Sequence, residues 1–206
     1  MPVEAVVFDI GNVLIEWKPE RFYDAEIGEA RRRAMFDEVD LHGMNDLVDR
    51  GHHFTDTVYD WADKYPGWRN EIRMWHDNWL DLATPALPHS VRLMRALRAK
   101  GVPTFILSNI GVQNWDIAKA EYPFLGEFDR AYVSGHMKTA KPEPVIYEMV
   151  EQDCGIAPAR LIFADDRQDN IDAAAARGWQ THLFTHPQLW ADRLMAEGLL
   201  STEDAA

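Results

Sequence analysis

Five short apolar runs, each bounded by polar or turn-forming residues, recur along the chain with the length of buried β-strands. They are residues 5–9 (AVVFD), 103–107 (PTFIL), 130–134 (RAYVS), 161–165 (LIFAD) and 181–184 (THLF). Apolar positions recur with a helical period over residues 89–100, 143–152 and 169–177, and Gly101 and Gly178 follow the first and last of these as helix-stop signals. Strands that alternate with helices predict an α/β fold with a Rossmann-like, doubly wound parallel sheet.

The stretch between the first and second apolar runs is too long for a single crossover connection. Residues 17–86 carry mostly helical patterns, and Pro19 and Pro66 stand where proline suits the first turn of a helix. We therefore predict a helical cap domain over residues 17–86, inserted directly after the first strand. The remaining residues, 1–16 and 87–206, form the predicted core domain.

The chain is strongly acidic, with a formal net charge of −13 over 206 residues. Such a surface repels a phosphate backbone and an anionic bilayer, so we expect neither nucleic acid nor a membrane as partner. A small anionic substrate would need a local positive site. Cys154 is the one cysteine, no apolar run approaches the roughly 20 residues of a membrane span, and the N-terminus lacks a secretory pattern. We therefore expect a reduced, cytoplasmic location, while no pattern indicates the oligomeric state.

Polar side chains follow the predicted strands at the points where the strands end. In an open parallel sheet these carboxyl ends meet at one edge, which is where ligands bind. Carboxylates that meet there repel one another unless a cation or a lysine lies among them, and such oxygen ligands favour Mg²⁺. The residues concerned are Asp9 after the first strand, Ser108 and Asn109 after the second, Asp165 and Asp166 after the fourth, and Lys141 in the loop that follows the third.

Four segments at these strand ends resemble the four motifs of the haloacid dehalogenase (HAD) superfamily, in the same order and over nearly the whole chain. Residues 8–14 (FDIGNVL) resemble the first motif, 106–109 (ILSN) the second, 141–147 (KPEPVIY) the third and 163–179 (FADDRQDNIDAAAARGW) the fourth. The helical insertion is similar to the C1 cap of that family. The first and fourth motifs look closest to those of a subgroup of small bacterial sugar-phosphate phosphatases.

The resemblance implies nucleophilic catalysis by Asp9, with a covalent intermediate that water hydrolyses. It also implies a small phosphorylated substrate and Mg²⁺ as cofactor. The implied metal ligands are Asp9, the backbone carbonyl of Gly11, Asp165 and Asp166. The implied catalytic residues are Asp9, Ser108, Asn109 and Lys141, and the implied substrate contacts are Gly11, Asn12, Ser108 and Asn109.

The chain departs from the usual phosphatase pattern at Gly11, two positions after Asp9. Most phosphatases of the family carry an aspartate there, which protonates the leaving oxygen and later activates water, a contribution worth roughly 10²–10⁴ in rate. Three explanations are open: an acid from the cap replaces it, the leaving group needs no proton, or the leaving group is a halide. The last would make the protein a 2-haloacid dehalogenase, but that branch uses no metal, and the pair Asp165 and Asp166 argues against it. A phosphate-binding protein without turnover is a further alternative.

Several residues of the predicted cap are candidates for contact with the substrate. Trp17 comes shortly after the Asp9 loop and is a candidate for lining the pocket. The polar cluster of residues 42–53 is either a solvated loop or a source of substrate contacts, among which we include His42. His42 and Asp49 are also the candidates for a replacement acid. Lys138 is a nearby alternative to Lys141 for the third motif.

Overall fold

Five parallel strands form one sheet in the order β3-β2-β1-β4-β5, in a computed structural model that describes residues 2–205. The strands are β1 (Ala5–Phe8), β2 (Thr104–Ser108), β3 (Arg130–Val133), β4 (Leu161–Asp165) and β5 (Gln180–Leu183). Each pair of neighbouring strands is parallel, and helices connect the strands along the chain. The α/β class predicted from the alternating pattern is confirmed.

The register of the central strand decides which side chains meet at the edge of the sheet. Phe8 of β1 is paired with Ile106 of β2 and with Ala164 of β4. The next residue, Asp9, is therefore level with Leu107, one residue before the end of β2, and with Asp165, the last residue of β4. Polar groups that are far apart in sequence come together here because three strands end at nearly the same height.

Helices cover both faces of the sheet. Val6 and Phe8 of β1 belong to the apolar cluster on one face, and Ala5 and Val7 belong to a second cluster. Alternate side chains of a strand point to opposite faces, so a strand covered on both sides is apolar throughout. The helices after residue 86 are α7 (Pro88–Ala99), α8 (Val112–Glu121), α9 (Ser134–Met137), α10 (Pro144–Cys154), α11 (Gln168–Ala176) and α12 (Pro187–Ala196).

Six helices lie between β1 and α7, where the sequence predicted a helical insertion. They are α1 (Pro19–Ile27), α2 (Glu29–Glu38), α3 (Leu41–Asp49), α4 (Phe54–Lys64), α5 (Arg69–Asp77) and α6 (Trp79–Leu82). We call residues 17–86 the cap, and these boundaries stay a prediction. Tyr23 and Trp75 of the cap are buried in the same apolar cluster as Phe8, so the cap packs directly on the core.

Some predicted elements differ from the structure in detail. The apolar run at 181–184 predicts a strand, and β5 occupies Gln180–Leu183 at the edge of the sheet, where its side chains are half-buried or exposed. An edge strand has one neighbour, so its second side faces solvent. Pro66 begins a 3₁₀ turn (Pro66–Trp68) rather than an α-helix. Within residues 2–205, no helix is both long and apolar enough to cross a bilayer.

Candidate active site

Lys141 lies between two carboxylates at the carboxyl edge of the sheet. Its Nζ is 2.9 Å from Oδ1 of Asp9 and 2.6 Å from Oδ2 of Asp165, and it donates to the carbonyl of Leu107 at 2.8 Å. The Lys141 side chain is almost fully buried. Burial alone would lower the pKa of Lys141, but the two carboxylates outweigh it and raise the pKa above its ordinary value. The ammonium group therefore stays charged in the interior.

Asn109 fixes the backbone at Lys141. Its Nδ2 donates to the Lys141 carbonyl and its Oδ1 accepts from the Lys141 N–H, each at 2.8 Å. Lys138, the alternative lysine, is exposed and donates to the carbonyl of Gly51 at 3.1 Å. Of the two lysines, Lys141 is the one that the fold brings to Asp9.

Asp165 is fully buried and its two oxygens are used within the protein. The backbone N–H of Arg167 donates to Oδ1 at 2.8 Å, and Nδ2 of Asn170 lies 3.0 Å from each oxygen. With Lys141 on Oδ2, this carboxylate has three donors around it. Asp165 therefore holds Lys141 in place, whatever else it contacts.

Asp166, the next residue, faces the cavity and is linked to the loop after β1. It accepts from Nδ2 of Asn12 at 2.8 Å, and Oδ1 of Asn12 accepts from the N–H of Trp17 at 3.1 Å. Asn12 has a φ of 55°, a left-handed conformation that asparagine adopts more readily than most residues. Both ends of its amide are used in this way, so Asn12 orients Asp166, and its predicted contact with substrate stays a prediction.

Ser108 and Gly11 lie on either side of Asp9. The buried Ser108 hydroxyl lies beside the Asp9 carboxylate and lowers the pKa of Asp9, against the larger effect of burial. A Cβ added at Gly11 would lie 3.8 Å from Cβ of Trp17 and 3.9 Å from Oδ2 of Asp9, which is ordinary van der Waals contact. Space for a side chain is therefore available at Gly11, and the glycine is not required by packing.

The site carries more negative than positive charge. Asp9, Asp165 and Asp166 each offer an oxygen within 4.8 Å of the others, and Lys141 is the buried cation among them. Burial raises the pKa of Asp9, against the effect of Lys141, and burial also raises the pKa of Asp166. In the described chain, Oδ1 of Asp9 accepts no well-directed hydrogen bond. A divalent cation would neutralise the excess charge, and carboxylate oxygens are the ligands that Mg²⁺ prefers, so the residues fit this ion.

A cavity of about 640 Å³ opens between this edge of the sheet and the cap. Trp17, Trp75 and Trp79 line it on the cap side, with ring centroids 5.7 Å apart for Trp17 and Trp75 and 6.1 Å apart for Trp17 and Trp79. Aromatic walls with a few convergent polar groups are typical of small-molecule sites, and the volume suits a small metabolite.

Asp49, at the end of α3, reaches the cavity from the cap. Its carboxylate accepts from Nδ2 of Asn45 at 2.8 Å, and the backbone N–H of Gly111 in the core lies near enough to lower its pKa. Burial, above all, raises the pKa of Asp49 to about 7. His42, the other candidate acid, also lines the cavity, but its side chain is exposed and its ring packs edge-on against Phe36.

Asn114, in the first turn of α8, lines the cavity and was not singled out from the sequence. It is buried, and neither atom of its amide has a hydrogen-bond partner in the described part of the chain. A buried amide without partners is costly unless a ligand or water satisfies it. A lone asparagine near a helix start is typical of an ordinary helix end, so the sequence carried no distinctive signal for it.

Two proteins with similar sequences differ in their names and in how much of their length this chain matches. The D-ribitol-5-phosphate phosphatase of Bacteroides thetaiotaomicron is 21% identical over 93% of this chain and 97% of its own length. Drimenol cyclase drtB of Aspergillus calidoustus is 23% identical over 88% of this chain, which spans only 34% of that longer protein.

Solved structures share the fold at low identity. The HAD family enzyme bt-2542 of Bacteroides thetaiotaomicron, in complex with magnesium and inorganic phosphate, has a TM-score of 0.69 at 23% identity, over 89% of this chain and 94% of that one. The L-2-haloacid dehalogenase of Xanthobacter autotrophicus, with chloropropionic acid covalently bound, has a TM-score of 0.63 at 17% identity, over 98% of this chain and 86% of that one. At these identities the likeness shows a common fold and does not choose between the two chemistries.

A family model decides the membership of this chain. The model described as a haloacid dehalogenase-like hydrolase matches residues 3–178, which cover β1, the cap and the strand ends that carry Asp9, Ser108 and Asp165. The resemblance inferred from the four motifs is confirmed, and the chain belongs to the haloacid dehalogenase-like hydrolases.

Proposed function

We propose that this hydrolase is a Mg²⁺-dependent phosphatase of a small phosphorylated metabolite, such as a sugar phosphate, and acts through a covalent intermediate on Asp9. The observation that supports this most is the excess of carboxylates over Lys141 in a largely buried site. Three acids held this close are stable together when a divalent cation joins them. A dehalogenase that uses no metal would have no need of them.

Each residue of the site has a part in this proposal. Asp9 is the nucleophile, and Mg²⁺ would be held by Asp9, the Gly11 carbonyl and Asp166, with Asp165 beside them and bonded to Lys141. The ion would supply charge neutralisation at the phosphate. Ser108, the backbone N–H of Asn109 and Lys141 would bind the phosphoryl oxygens, since preorganised donors around developing charge give much of the rate in phosphoryl transfer.

The cap side of the cavity would receive the rest of the substrate. The half-buried Trp17 would offer apolar surface for a sugar ring or a carbon chain, with the buried Trp75 and Trp79 packed against it. Asn114 lines the same cavity with a buried amide. The D-ribitol-5-phosphate phosphatase among the relatives is in keeping with a substrate of this class.

The 2-haloacid dehalogenase remains the second candidate, because Gly11 cannot donate a proton and a leaving halide needs none. The specific observation in its favour is this glycine alone. A phosphate-binding module would use the same groups without turnover.

An assay with paired substrates separates the three functions. Purified protein would be tested for nitrophenolate release from p-nitrophenyl phosphate, with Mg²⁺ or with EDTA, and for chloride release from 2-chloropropionate. Nitrophenolate leaves without a proton, so Gly11 does not block this substrate. We expect Mg²⁺-dependent release that is lost in Asp9→Asn. Chloride release that EDTA does not affect would establish the dehalogenase, and phosphorylation of Asp9 without steady release would indicate the binding module.

A further inference from the structure

Asp49 stands out among the acids of the cap because the core fixes its position. The Ser134 hydroxyl donates to the Asp49 carbonyl at 2.6 Å and accepts from the N–H of Ile110 at 2.9 Å. Ile110 follows Ser108 and Asn109 directly. The backbone of Asp49 is thus joined through one hydroxyl to the loop that carries two predicted catalytic residues.

Where this part of the cap meets the core, the backbone at Gly51 and Gly111 is too close to its neighbours to carry a side chain. A Cβ at Gly111 would lie 2.5 Å from Cγ1 of Val48, and a Cβ at Gly51 would lie 2.4 Å from the carbonyl oxygen of Gly135. Gly51 also has a φ of +90°, which disfavours any side chain. The end of α3 is therefore packed against the core at a fixed distance, and this packing holds the carboxylate of Asp49 at the cavity.

The charges that face Asp49 leave it able to hold a proton near neutral pH. Burial is the main cause of its raised pKa; Asp46 on the same helix and Asp9 in the core add to it, while Lys141 and the N–H of Gly111 act in the opposite direction. A group that is to give up and regain a proton works best when its pKa is near the working pH.

We infer that Asp49 is the general acid and base that Gly11 cannot supply, brought to the cavity by the cap. This inference rests on the proposed phosphatase function. As an oxygen of Asp9 forms its bond to phosphorus, the bond from phosphorus to the leaving oxygen breaks, and the carboxylic acid of Asp49 gives its proton to that oxygen. The alcohol departs and Asp49 becomes a carboxylate. It then takes a proton from the water that attacks phosphorus, the bond to Asp9 breaks, and inorganic phosphate leaves with Asp49 protonated again.

Two substrates that differ by one nitro group test the role of the proton. Phenyl phosphate has a leaving group that needs protonation far more than the leaving group of p-nitrophenyl phosphate does. In Asp49→Asn we expect kcat/KM for phenyl phosphate to fall by roughly 10²–10⁴, with little change for p-nitrophenyl phosphate. The asparagine keeps the shape of the side chain, and the hydrogen bond from Ser134 goes to the backbone carbonyl of residue 49, so the contact with the core is retained. Asp56→Asn is the matched control, because Asp56 is an exposed acid of the cap whose Oδ2 lies 3.3 Å from Nδ1 of His53.

The possible outcomes separate this inference from the function on which it rests. A wild-type protein that hydrolyses neither ester in Mg²⁺ would overturn the phosphatase itself. Equal losses on both esters would mean that Asp49 is structural, and no loss on either would mean that it takes no part. A melting temperature of Asp49→Asn close to that of the wild type would confirm that the variant is folded when these constants are measured.

Discussion

Asn109 binds the backbone of Lys141 with both ends of its side-chain amide, each at 2.8 Å. The loop after β2 and the loop after β3 are thereby joined at the point where Lys141 turns towards Asp9. The second motif of the chain thus sets the position of the lysine in the third motif, in addition to the phosphate contacts that we propose for it.

Asn109→Ala is expected to lower kcat for p-nitrophenyl phosphate by about 100-fold, because a displacement of about 1 Å at a catalytic group has an effect of this size. KM should change less, since Ser108 and the backbone remain. Asn70→Ala, at an exposed position of α5, is the control. Steady-state kinetics on the two variants measure the difference, and full activity in Asn109→Ala would show that Lys141 needs no such support.

Lys141→Met should destabilise the protein, with a loss that grows as the pH rises. Removing one partner of a buried ion pair costs about 3–5 kcal/mol in the free energy of unfolding. Lys141 lowers the pKa of Asp9, so its loss raises a pKa that burial has already raised. When folding raises the pKa of an acid, ionisation of that acid destabilises the folded protein. The loss of stability begins above the pKa of the acid in the unfolded chain and grows until the pH reaches its pKa in the folded protein.

Urea unfolding of Lys141→Met and of the wild type at pH 5 and pH 8, without Mg²⁺, tests whether the loss of stability grows with pH. The larger loss is expected at pH 8, because Lys141 stabilises the ionised Asp9 carboxylate of the wild type at that pH. Lys138→Met is the matched control, because the Lys138 side chain is exposed and its Nζ donates to the carbonyl of Gly51. A loss in Lys141→Met that is equal at both pH values would contradict the electrostatic account of the site.

Mg²⁺ should raise the melting temperature of the wild type and have a smaller effect on Asp166→Asn. A ligand at about 100 times its dissociation constant adds about 2.7 kcal/mol to the stability of the folded state. Asp172→Asn, at an exposed acid of α11 that accepts from Gln168, should respond to the ion as the wild type does. Thermal unfolding against Mg²⁺ concentration gives the comparison; equal shifts in all three proteins would place the ion elsewhere.

Gly11→Asp should restore the hydrolysis of phenyl phosphate to Asp49→Asn. The space at Gly11 accommodates a Cβ, and a carboxylate there would lie next to Asp9. We expect a gain in kcat/KM of at least tenfold, within the roughly 10²–10⁴ that general acid catalysis supplies. Gly11→Asn in the same background is the control for shape, and a gain that is equal in both double variants would rule out proton transfer as its cause.

The sequence was sufficient for the fold and for the list of strand-end residues. Short apolar runs that end in Asp9 or in Asp165 and Asp166 indicate both a parallel sheet and the edge at which we propose that the ligand binds, because periodicity and strand ends are local properties. The position of β5 was harder to predict, because its residues alone do not show that it is an edge strand. The family model confirmed the membership that the motifs had indicated.

The contacts that each residue makes within the site could not be predicted from the sequence. Asn12 and Asn109 stand in motifs that imply contact with substrate, yet their side chains are bonded to Asp166, to the N–H of Trp17 and to the backbone of Lys141. Such bonds depend on the approach of loops that are distant in sequence. The same holds for Asp49, which the sequence could not separate from His42, because only the packing of α3 on the core shows which of them is held in place.

The central claim is tested most directly by the covalent state of Asp9 during turnover. The protein would be mixed with p-nitrophenyl phosphate and Mg²⁺, quenched in acid, which preserves an acyl phosphate, digested at low pH and examined by mass spectrometry. The account predicts one phosphoryl group on the peptide that contains Asp9, absent with EDTA and absent in Asp9→Asn. Turnover without a phosphoryl group on Asp9, or with one on another residue, would contradict it.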